Sequence, residues 1–255
     1  MSEIRPTRPG RPVRVGLPVR VGLLVPSSNT VMENDLHRGL PPALYTVHTA
    51  RMYLVETTRE AEIRMIEDFA PKAADDVGTA NPDLLVFGCT SGGSLYGMDG
   101  DARICRDLGA RAGCPALGVL TSVAEALEAA GAKRLAVITP YIDDLTRSVA
   151  TALATTGYDI AAAHGMGIHV NVELADPDPG QILAFARDRL QGVRFDALLV
   201  SCTNFRAVEA KPRLEAEFGV PVVTSNSAVI DAIRRRCEAP AARDAERLAP
   251  AAPIG

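Results

Sequence analysis

Two cysteines occupy the same local setting at distant points of the chain. Cys89 follows the apolar run in LLVFGCTSGG, and Cys202 follows the apolar run in ALLVSCTNFR. A single thiol at the end of a buried strand is usually structural, but two in the same setting indicate a duplicated site. Two thiols that face one ligand can add and expel a nucleophile or add and remove a proton, and a thiol at a helix N-terminus ionises more easily. The pair therefore predicts cysteine-based catalysis.

Short apolar runs that alternate with helical patterns must position these thiols. The predicted strands lie at 20–25, 45–52, 84–87, 116–118, 134–138, 159–165, 197–200 and 221–223. The predicted helices lie at 30–39, 58–79, 99–112, 122–130, 141–156, 179–190, 211–218 and 227–236. Alternating strands and helices, with strands that are apolar almost throughout, are typical of an α/β protein with buried parallel sheets.

The two halves of the chain repeat three features in the same order. Each half has a strand that ends in Pro and polar residues, a strand that ends in Cys-Thr, and a strand that ends in Thr-Ser before an Ala-rich helix. Cys89 lies 63 residues after Pro26, and Cys202 lies 62 residues after Pro140. The sequence therefore predicts two pseudo-symmetric lobes, each a mainly parallel sheet flanked by helices, with the active site in the cleft between them. Lobe 1 comprises 19–122 and 226–238, and lobe 2 comprises 123–225.

Polar residues follow the predicted strands at the point where ligands of parallel sheets bind. Ser28, Asn29 and Thr30 precede a predicted helix, whose N-terminus can bind an anion, and small polar residues follow each cysteine. Arg51 and Arg206 are candidate carboxylate clamps. These residues predict that the ligand is a small carboxylate.

Composition and charge exclude several other classes. The chain of 255 residues is 47% hydrophobic, has a net charge of −4 and contains no Trp, which argues against nucleic-acid binding. No apolar run approaches the roughly 18–20 residues that a membrane span needs. The cysteines number five, which is odd, and no secretory signal is evident. Both observations indicate free thiols in a reducing environment, so we expect a cytoplasmic location. The other three thiols are interpreted as structural: Cys105, Cys114 and Cys237.

No motif in the chain indicates a cofactor. It has neither a Gly-rich dinucleotide fingerprint nor a P-loop, and its four histidines show no zinc-ligand spacing to any cysteine. We therefore expect neither a nucleotide cofactor nor a metal. The composition of the ends predicts a disordered basic leader at 1–18 and a disordered Ala/Pro-rich tail at 239–255.

The motifs together resemble those of a known superfamily. Over residues 20–236 the chain resembles the aspartate/glutamate racemase superfamily, and within it the maleate cis–trans isomerases and the arylmalonate decarboxylases. The segments LLVPSSNTVME and VITPYIDD carry this resemblance, and both Cys-bearing strands match the isomerases, whereas the decarboxylases keep only the second cysteine. The resemblance implies a cofactor-independent isomerase that assembles as a homo-oligomer, either a dimer or a tetramer.

The resemblance also implies roles for individual residues. Cys89 would be the nucleophile that adds to C2 of a cis-enedioate such as maleate, which leaves a C2–C3 single bond free to rotate. Cys202 would protonate and later deprotonate the adjacent carbon. Three side chains would hold the substrate carboxylates, with help from backbone N–H groups after each cysteine. The side chains belong to Asn29, Tyr141 and Asn171, and the N–H groups lie near Thr90, Ser91, Thr203 and Asn204.

Three alternatives remain open at the level of the sequence. The segments CTSGG and CTNFR are more polar than their counterparts in the isomerases, which favours a hydroxylated or amino-substituted diacid. The first alternative is a two-cysteine racemase or epimerase, and the second is an enzyme of the kind associated with ectoine utilisation. The third is a carboxylate-binding protein without turnover, which would need neither thiol.

Overall fold

Two separate parallel sheets form the framework of the molecule. The computed structural model describes residues 17–245, with side chains up to Cys237. In this part of the chain each sheet has four strands, in the order β2-β1-β3-β4 and β6-β5-β7-β8. The strands are β1 (Val19–Pro26), β2 (Tyr45–Met52), β3 (Leu84–Phe87), β4 (Ala116–Gly118), β5 (Arg134–Thr139), β6 (Asp159–Gly165), β7 (Ala197–Val200) and β8 (Val222–Thr224). All pairs within the two sheets are parallel.

Helices connect and cover the strands of both sheets. They are α1 (Met32–Gly39), α2 (Arg59–Arg64), α3 (Ala70–Gly78), α4 (Thr90–Ser94), α5 (Gly97–Ala112), α6 (Val119–Ala129), α7 (Asp143–Ala154), α8 (Pro179–Leu190), α9 (Ala207–Phe218) and α10 (Ser225–Ala245). The second sheet repeats the strand order of the first, so the predicted α/β fold with two pseudo-symmetric lobes is confirmed.

The central strands are buried on both faces, as their composition predicts. Every residue of β3 and β7 is buried, and these two strands lead directly to the two cysteines. The outer strand β6 is half-buried over most of its length. Because apolar side chains leave water on both faces of a central parallel strand, β3 and β7 are fixed firmly in their sheets, and so are the points where they end.

Three helical segments differ from the sequence-based expectation. The helix predicted at 58–79 is interrupted by a π-helical turn, Met65–Phe69, just before Pro71. A proline ring clashes with the carbonyl four residues earlier in a regular helix, and the wider turn relieves that clash. Helix α4 was not predicted, because a Thr-Ser-Gly-Gly-Ser segment has low helix propensity and forms here in a buried setting. A 3₁₀ turn at Asn171–Ala175 was also missed.

The two ends of the chain lie partly outside the described residues. The predicted leader 1–18 falls outside them up to position 16. Helix α10 continues to Ala245, past the start of the predicted tail at 239, and 246–255 fall outside the described part. Helix α10 packs against α1 and α6 and also contacts α9 and β8, so the assignment of 226–238 to lobe 1 stays a prediction. Within residues 17–245, none of the helices has the length and apolar composition needed to cross a membrane.

Candidate active site

The two cysteines leave their sheets at matching positions. After β3, the N–H of Gly88 donates to the carbonyl of Leu24 at 2.7 Å, and after β7 the N–H of Ser201 donates to the carbonyl of Ile138 at 2.9 Å. Each of these bonds is the last between a central strand and its neighbour, and the next residue is the cysteine. The thiols therefore occupy equivalent positions at the carboxyl ends of the two sheets, where α/β proteins bind ligands.

A pair of backbone hydrogen bonds joins the two lobes beside these thiols. The N–H of Thr57 donates to the carbonyl of His169, the N–H of Asn171 donates to the carbonyl of Val55, and both distances are 2.8 Å. The Thr57 hydroxyl also donates to the His169 carbonyl at 2.8 Å. The loops after β2 and β6 thus pair with each other across the pseudo-twofold axis. This pairing brings the carboxyl ends of the two sheets to one shared site.

Cys202 lies in a dry environment with two hydrogen-bond donors. Its side chain is 3% exposed, and its sulfur accepts the N–H of Asn204 at 3.2 Å and the hydroxyl of Tyr141. Burial raises the pKa of Cys202 to about 12, although both donors act in the opposite direction. Burial also raises the pKa of Tyr141, which keeps its hydroxyl as a donor. At neutral pH this thiol is protonated and suited to give a proton.

Cys89 has a different set of neighbours. Its side chain is also 3% exposed, and its sulfur accepts the N–H of Gly92 at 3.4 Å and lies 3.5 Å from the Ser91 hydroxyl. The thiol donates to Oε2 of Glu62 at 3.3 Å. Burial, followed by the Glu62 charge, raises the pKa of Cys89 well above its ordinary value. This thiol is therefore protonated at neutral pH, and it must lose its proton before the sulfur can attack.

Glu62 is the residue of this site that the sequence reading missed. It lies on α2, is 0% exposed and accepts hydrogen bonds from the Ser91 hydroxyl and the Cys89 thiol. Burial raises its pKa to about 7, against those two bonds, which lower it. The signal was present in the pattern, since Met65 lies one turn along and is also buried, so that Glu62 occupies the apolar face of its helix.

The predicted carboxylate-binding side chains meet in the same place. Nδ2 of Asn29 donates to the hydroxyl of Thr203 at 3.1 Å, and Nδ2 of Asn204 donates to the carbonyl of Asn171 at 2.6 Å. The first bond joins the two lobes, and the second joins two loops of lobe 2. All four side chains are buried, as are those of Thr90 and Ser91.

The polar residues after each cysteine are engaged within the protein. The hydroxyl of Ser91 bonds Glu62, and Oδ1 of Asn204 accepts the N–H of Thr30 at 2.8 Å. The hydroxyl of Thr90 lies 3.1 Å from that of Ser225. These bonds account for the polarity of the two segments without a substrate, and they weaken the sequence-based argument for a more polar diacid.

The two candidate arginine clamps are committed elsewhere. Arg51 bonds Glu33 at 2.8 Å and the carbonyl of Asn29 at 2.8 Å, so it supports the loop after β1. Arg206 bonds Glu209 at 2.8 Å and is 37% exposed. Both guanidinium groups are therefore held by partners within the protein, and Arg51 contacts the backbone of Asn29 rather than its side chain.

Comparison with known proteins identifies the group to which this arrangement belongs. The family model described as arylmalonate decarboxylase matches residues 21–249. The maleate isomerase of Geobacillus stearothermophilus is 24% identical over 81% of this chain and 87% of its own length. The maleate isomerase of Pseudomonas putida is 28% identical over 79% and 85%, respectively.

A solved structure extends the likeness to the fold and to cysteine chemistry. The Nocardia farcinica maleate cis–trans isomerase, as a cysteine-to-serine mutant with a covalently bound succinylcysteine intermediate, superposes with a TM-score of 0.79 at 25% identity. The match covers 86% of this chain and 93% of that structure. The prediction of an enzyme of the isomerase class is confirmed by these relatives. The chain belongs to the arylmalonate decarboxylase family, which is the resemblance its sequence indicated.

Proposed function

We propose that this protein is a cofactor-independent isomerase that converts a small cis-enedioate, with maleate as the first candidate, into its trans isomer. In this proposal Cys89 is the nucleophile and Cys202 is the acid and base. The observation that carries the proposal is the placement of two buried thiols at equivalent strand ends of one shared site. The succinylcysteine intermediate of the Nocardia farcinica relative supports a thioether on the reaction path.

The reaction would proceed through a saturated adduct. The Cys89 thiol gives up its proton to a base, its sulfur forms a bond to C2 of the substrate, and the electron pair of the double bond takes the Cys202 proton at C3. The C2–C3 bond is then single and rotates. The Cys202 thiolate removes a proton from C3, the double bond re-forms, and the bond between C2 and the Cys89 sulfur breaks. Hydrogen bonds from Tyr141 and Asn204 stabilise the Cys202 thiolate while it exists.

Binding of the two carboxylates would depend on neutral donors. Asn29, Tyr141 and Asn171 supply amide and hydroxyl donors, and backbone N–H groups follow each cysteine, near Thr90, Ser91, Thr203 and Asn204. In a water-excluded site such fixed donors hold an anion more firmly than they would in solvent. Rotation about C2–C3 requires that one carboxylate exchange donors, and amides and hydroxyls release an anion more easily than a buried guanidinium would.

The test is the fate of maleate in D2O, followed by proton NMR. We expect the wild-type protein to form fumarate and the Cys89→Ser variant to form none. The Cys105→Ser variant, which replaces a buried thiol on α5, is the matched control and should keep wild-type activity. Full activity of Cys89→Ser would overturn the assignment of the nucleophile. Fumarate formation by neither protein would overturn the choice of substrate.

A racemase or epimerase is the second candidate. It is favoured by the donors that each thiol possesses, since two thiols that alternate as acid and base both need a stabilised thiolate. Incubation of aspartate in D2O would then exchange its α-proton and invert the stereocentre, with the loss of both effects in either cysteine variant. Binding of maleate without turnover, unchanged by both cysteine substitutions, would instead indicate a carboxylate-binding protein. Assembly as a homo-oligomer and location in the cytoplasm stay predictions.

A further inference from the structure

The nucleophile proposed above begins as a buried, protonated thiol. Three groups lie within hydrogen-bond reach of its sulfur. The N–H of Gly92 donates to the sulfur at 3.4 Å, and an amide N–H offers no lone pair to take a proton. The hydroxyl of Ser91 is a weak base, and it already donates a hydrogen bond to Glu62. The carboxylate oxygen Oε2 of Glu62, at 3.3 Å, is the group that can accept the thiol proton.

Several contacts fix Glu62 in this position. Thr58 is the N-cap of helix α2, and its hydroxyl accepts the N–H of Ala61 at 3.3 Å. One carboxylate oxygen accepts from Ser91 and the other from Cys89. The carboxyl group therefore has one defined orientation, with a single oxygen directed at the thiol.

We propose that Glu62 is a catalytic residue that accepts the Cys89 proton when the sulfur attacks the substrate and returns it when the sulfur leaves. This inference rests on the proposed function, because it assigns the base of that reaction. No other titratable side chain of α2 is available, since Arg59, Glu60 and Arg64 are all exposed.

With Glu62 as the proton acceptor, protons and charge balance over the whole reaction. Before attack, Glu62 is ionised and both thiols are protonated, so the three groups carry one negative charge. As the bond between sulfur and C2 forms, the Cys89 proton moves to Oε2 of Glu62 and the Cys202 proton moves to C3. The single negative charge then lies on Cys202. In the second half of the reaction both protons return, so no charge has to enter or leave the buried site.

The electrostatic surroundings of Glu62 suit an acceptor near neutral pH. Its titratable neighbours are Cys89 on its own lobe and Cys202 and Tyr141 on the other, and its charge raises the pKa of all three. Among the described residues, no cation contributes to the pKa of Glu62, which burial raises to about 7. A base whose pKa lies near the working pH combines the correct protonation state with useful basicity.

The closing experiment measures alkylation of Cys89 by iodoacetamide between pH 5.5 and 9.5, with each cysteine quantified separately by peptide mass spectrometry. In this step the sulfur displaces iodide and the thiol proton goes to Glu62, so no knowledge of the natural substrate is required. The variants are Glu62→Gln and, as the matched control on the same helix, Glu60→Gln. A parallel series measures kcat/KM for maleate.

We expect the wild-type rate to rise through a midpoint near pH 7 and then level off, as Glu62 ionises. Glu62→Gln should react about 100-fold more slowly at pH 7, the scale of general-base catalysis, and the difference should shrink by about tenfold per pH unit because the rate then follows the thiolate fraction of Cys89. Ser91→Ala should move the midpoint to higher pH, since the Ser91 hydrogen bond lowers the pKa of Glu62. Glu60→Gln should match the wild type.

Two results separate the proposals from each other. An alkylation profile of Glu62→Gln that is superimposable on that of the wild type overturns the role of Glu62, whatever happens with maleate. If the alkylation profiles differ as expected but no variant turns over maleate, the role of Glu62 as proton acceptor stands and the proposed substrate fails. A rate for Glu62→Gln that is lower by the same factor at every pH would indicate a purely structural role and would overturn the proposal.

Discussion

The hydroxyl of Thr203 donates a hydrogen bond of 3.1 Å to the carbonyl oxygen of Gly88. This bond ties the residue after Cys202 to the residue before Cys89, across the two lobes. The same hydroxyl accepts Nδ2 of Asn29 at 3.1 Å, so the three residues form a continuous chain of donors and acceptors. The relative position of the two thiols therefore depends directly on one buried side chain.

Replacement of Thr203 tests this dependence. Thr203→Val keeps the shape of the side chain but leaves the Gly88 carbonyl and the Asn29 amide without their partner, which should lower the free energy of unfolding by about 1–3 kcal/mol. Activity should fall together with stability because the two thiols are no longer held in their relative position. Thr203→Ser retains the hydroxyl and should keep most of both. Urea unfolding and kcat measured on both variants check the prediction, and equal behaviour of the two would contradict it.

Removal of the Tyr141 hydroxyl should affect the half-reaction that uses the Cys202 thiolate. A hydrogen bond to a charged partner contributes about 1.5–3 kcal/mol, so Tyr141→Phe should lower kcat by roughly 10–100-fold. The pKa of Cys202 should rise further, since this hydrogen bond lowers it. Tyr158→Phe is the matched control, because the Tyr158 hydroxyl bonds the carbonyl of Ala124 at 3.2 Å, away from the site. An equal loss in both variants would argue against the bond to Cys202.

Asn29 has a structural role at the start of α1 and a proposed role in substrate binding, and two substitutions can separate them. Its Oδ1 accepts the N–H groups of Val31 and Met32 at 3.0 Å each, at the start of α1. Asn29→Ala removes that acceptor and should cost about 1 kcal/mol of stability. Asn29→Asp keeps the acceptor but places a negative charge where a substrate carboxylate is proposed to bind. We expect KM for a dicarboxylate to rise more in the Asp variant than in the Ala variant. A KM in the Asp variant equal to that of the wild type would exclude Asn29 from the binding site.

The buried Glu62 should make stability depend on pH in a defined direction. Its pKa is raised from 4.5 to about 7 by folding, so below pH 4.5 both states hold the proton and no penalty arises. Between 4.5 and 7 the unfolded state ionises first, and stability falls as pH rises. Above 7 both states are ionised, and the penalty is constant at roughly 3 kcal/mol. Glu62→Gln should therefore be more stable than the wild type at pH 8 but not at pH 4.5.

Urea unfolding of both proteins across this range measures the difference in the free energy of unfolding, in which the other titrating groups cancel. Glu60→Gln, which alters an exposed carboxyl two residues earlier, should show no such pH-dependent difference. A difference between Glu62→Gln and the wild type that is the same at every pH would contradict the raised pKa.

The sequence was sufficient for the framework and for the two thiols. Strands such as β3 and β7 are read correctly because a buried parallel strand is apolar throughout, and the duplication places their ends in equivalent positions. Two local features of the helices could not be predicted from the sequence. Helix α4 contains two glycines, which have low helix propensity, and all of its residues are buried. The π-helical turn before Pro71 depends on a steric clash that periodicity does not register.

The contacts within the site were beyond the sequence for a different reason. The bonds of Thr203 to Gly88 and of Asn171 to Val55 join positions more than a hundred residues apart, and they follow only from the way the lobes face each other. Glu62 could be predicted from the sequence only in part. An acid on the apolar face of a short helix is visible in the sequence, but its partner Cys89 becomes evident only when α2 is packed beside the end of β3.

The repeated strand order has a consequence for how the two thiols came to differ. Because the lobes supply equivalent strand ends, geometry alone makes Cys89 and Cys202 interchangeable. Their chemical identities come from what stands beside them, a carboxyl group from α2 in one case and a phenol in the other. The proposed division of labour between the two thiols therefore depends on neighbouring residues that can be exchanged one at a time, while the scaffold that aligns the thiols stays the same.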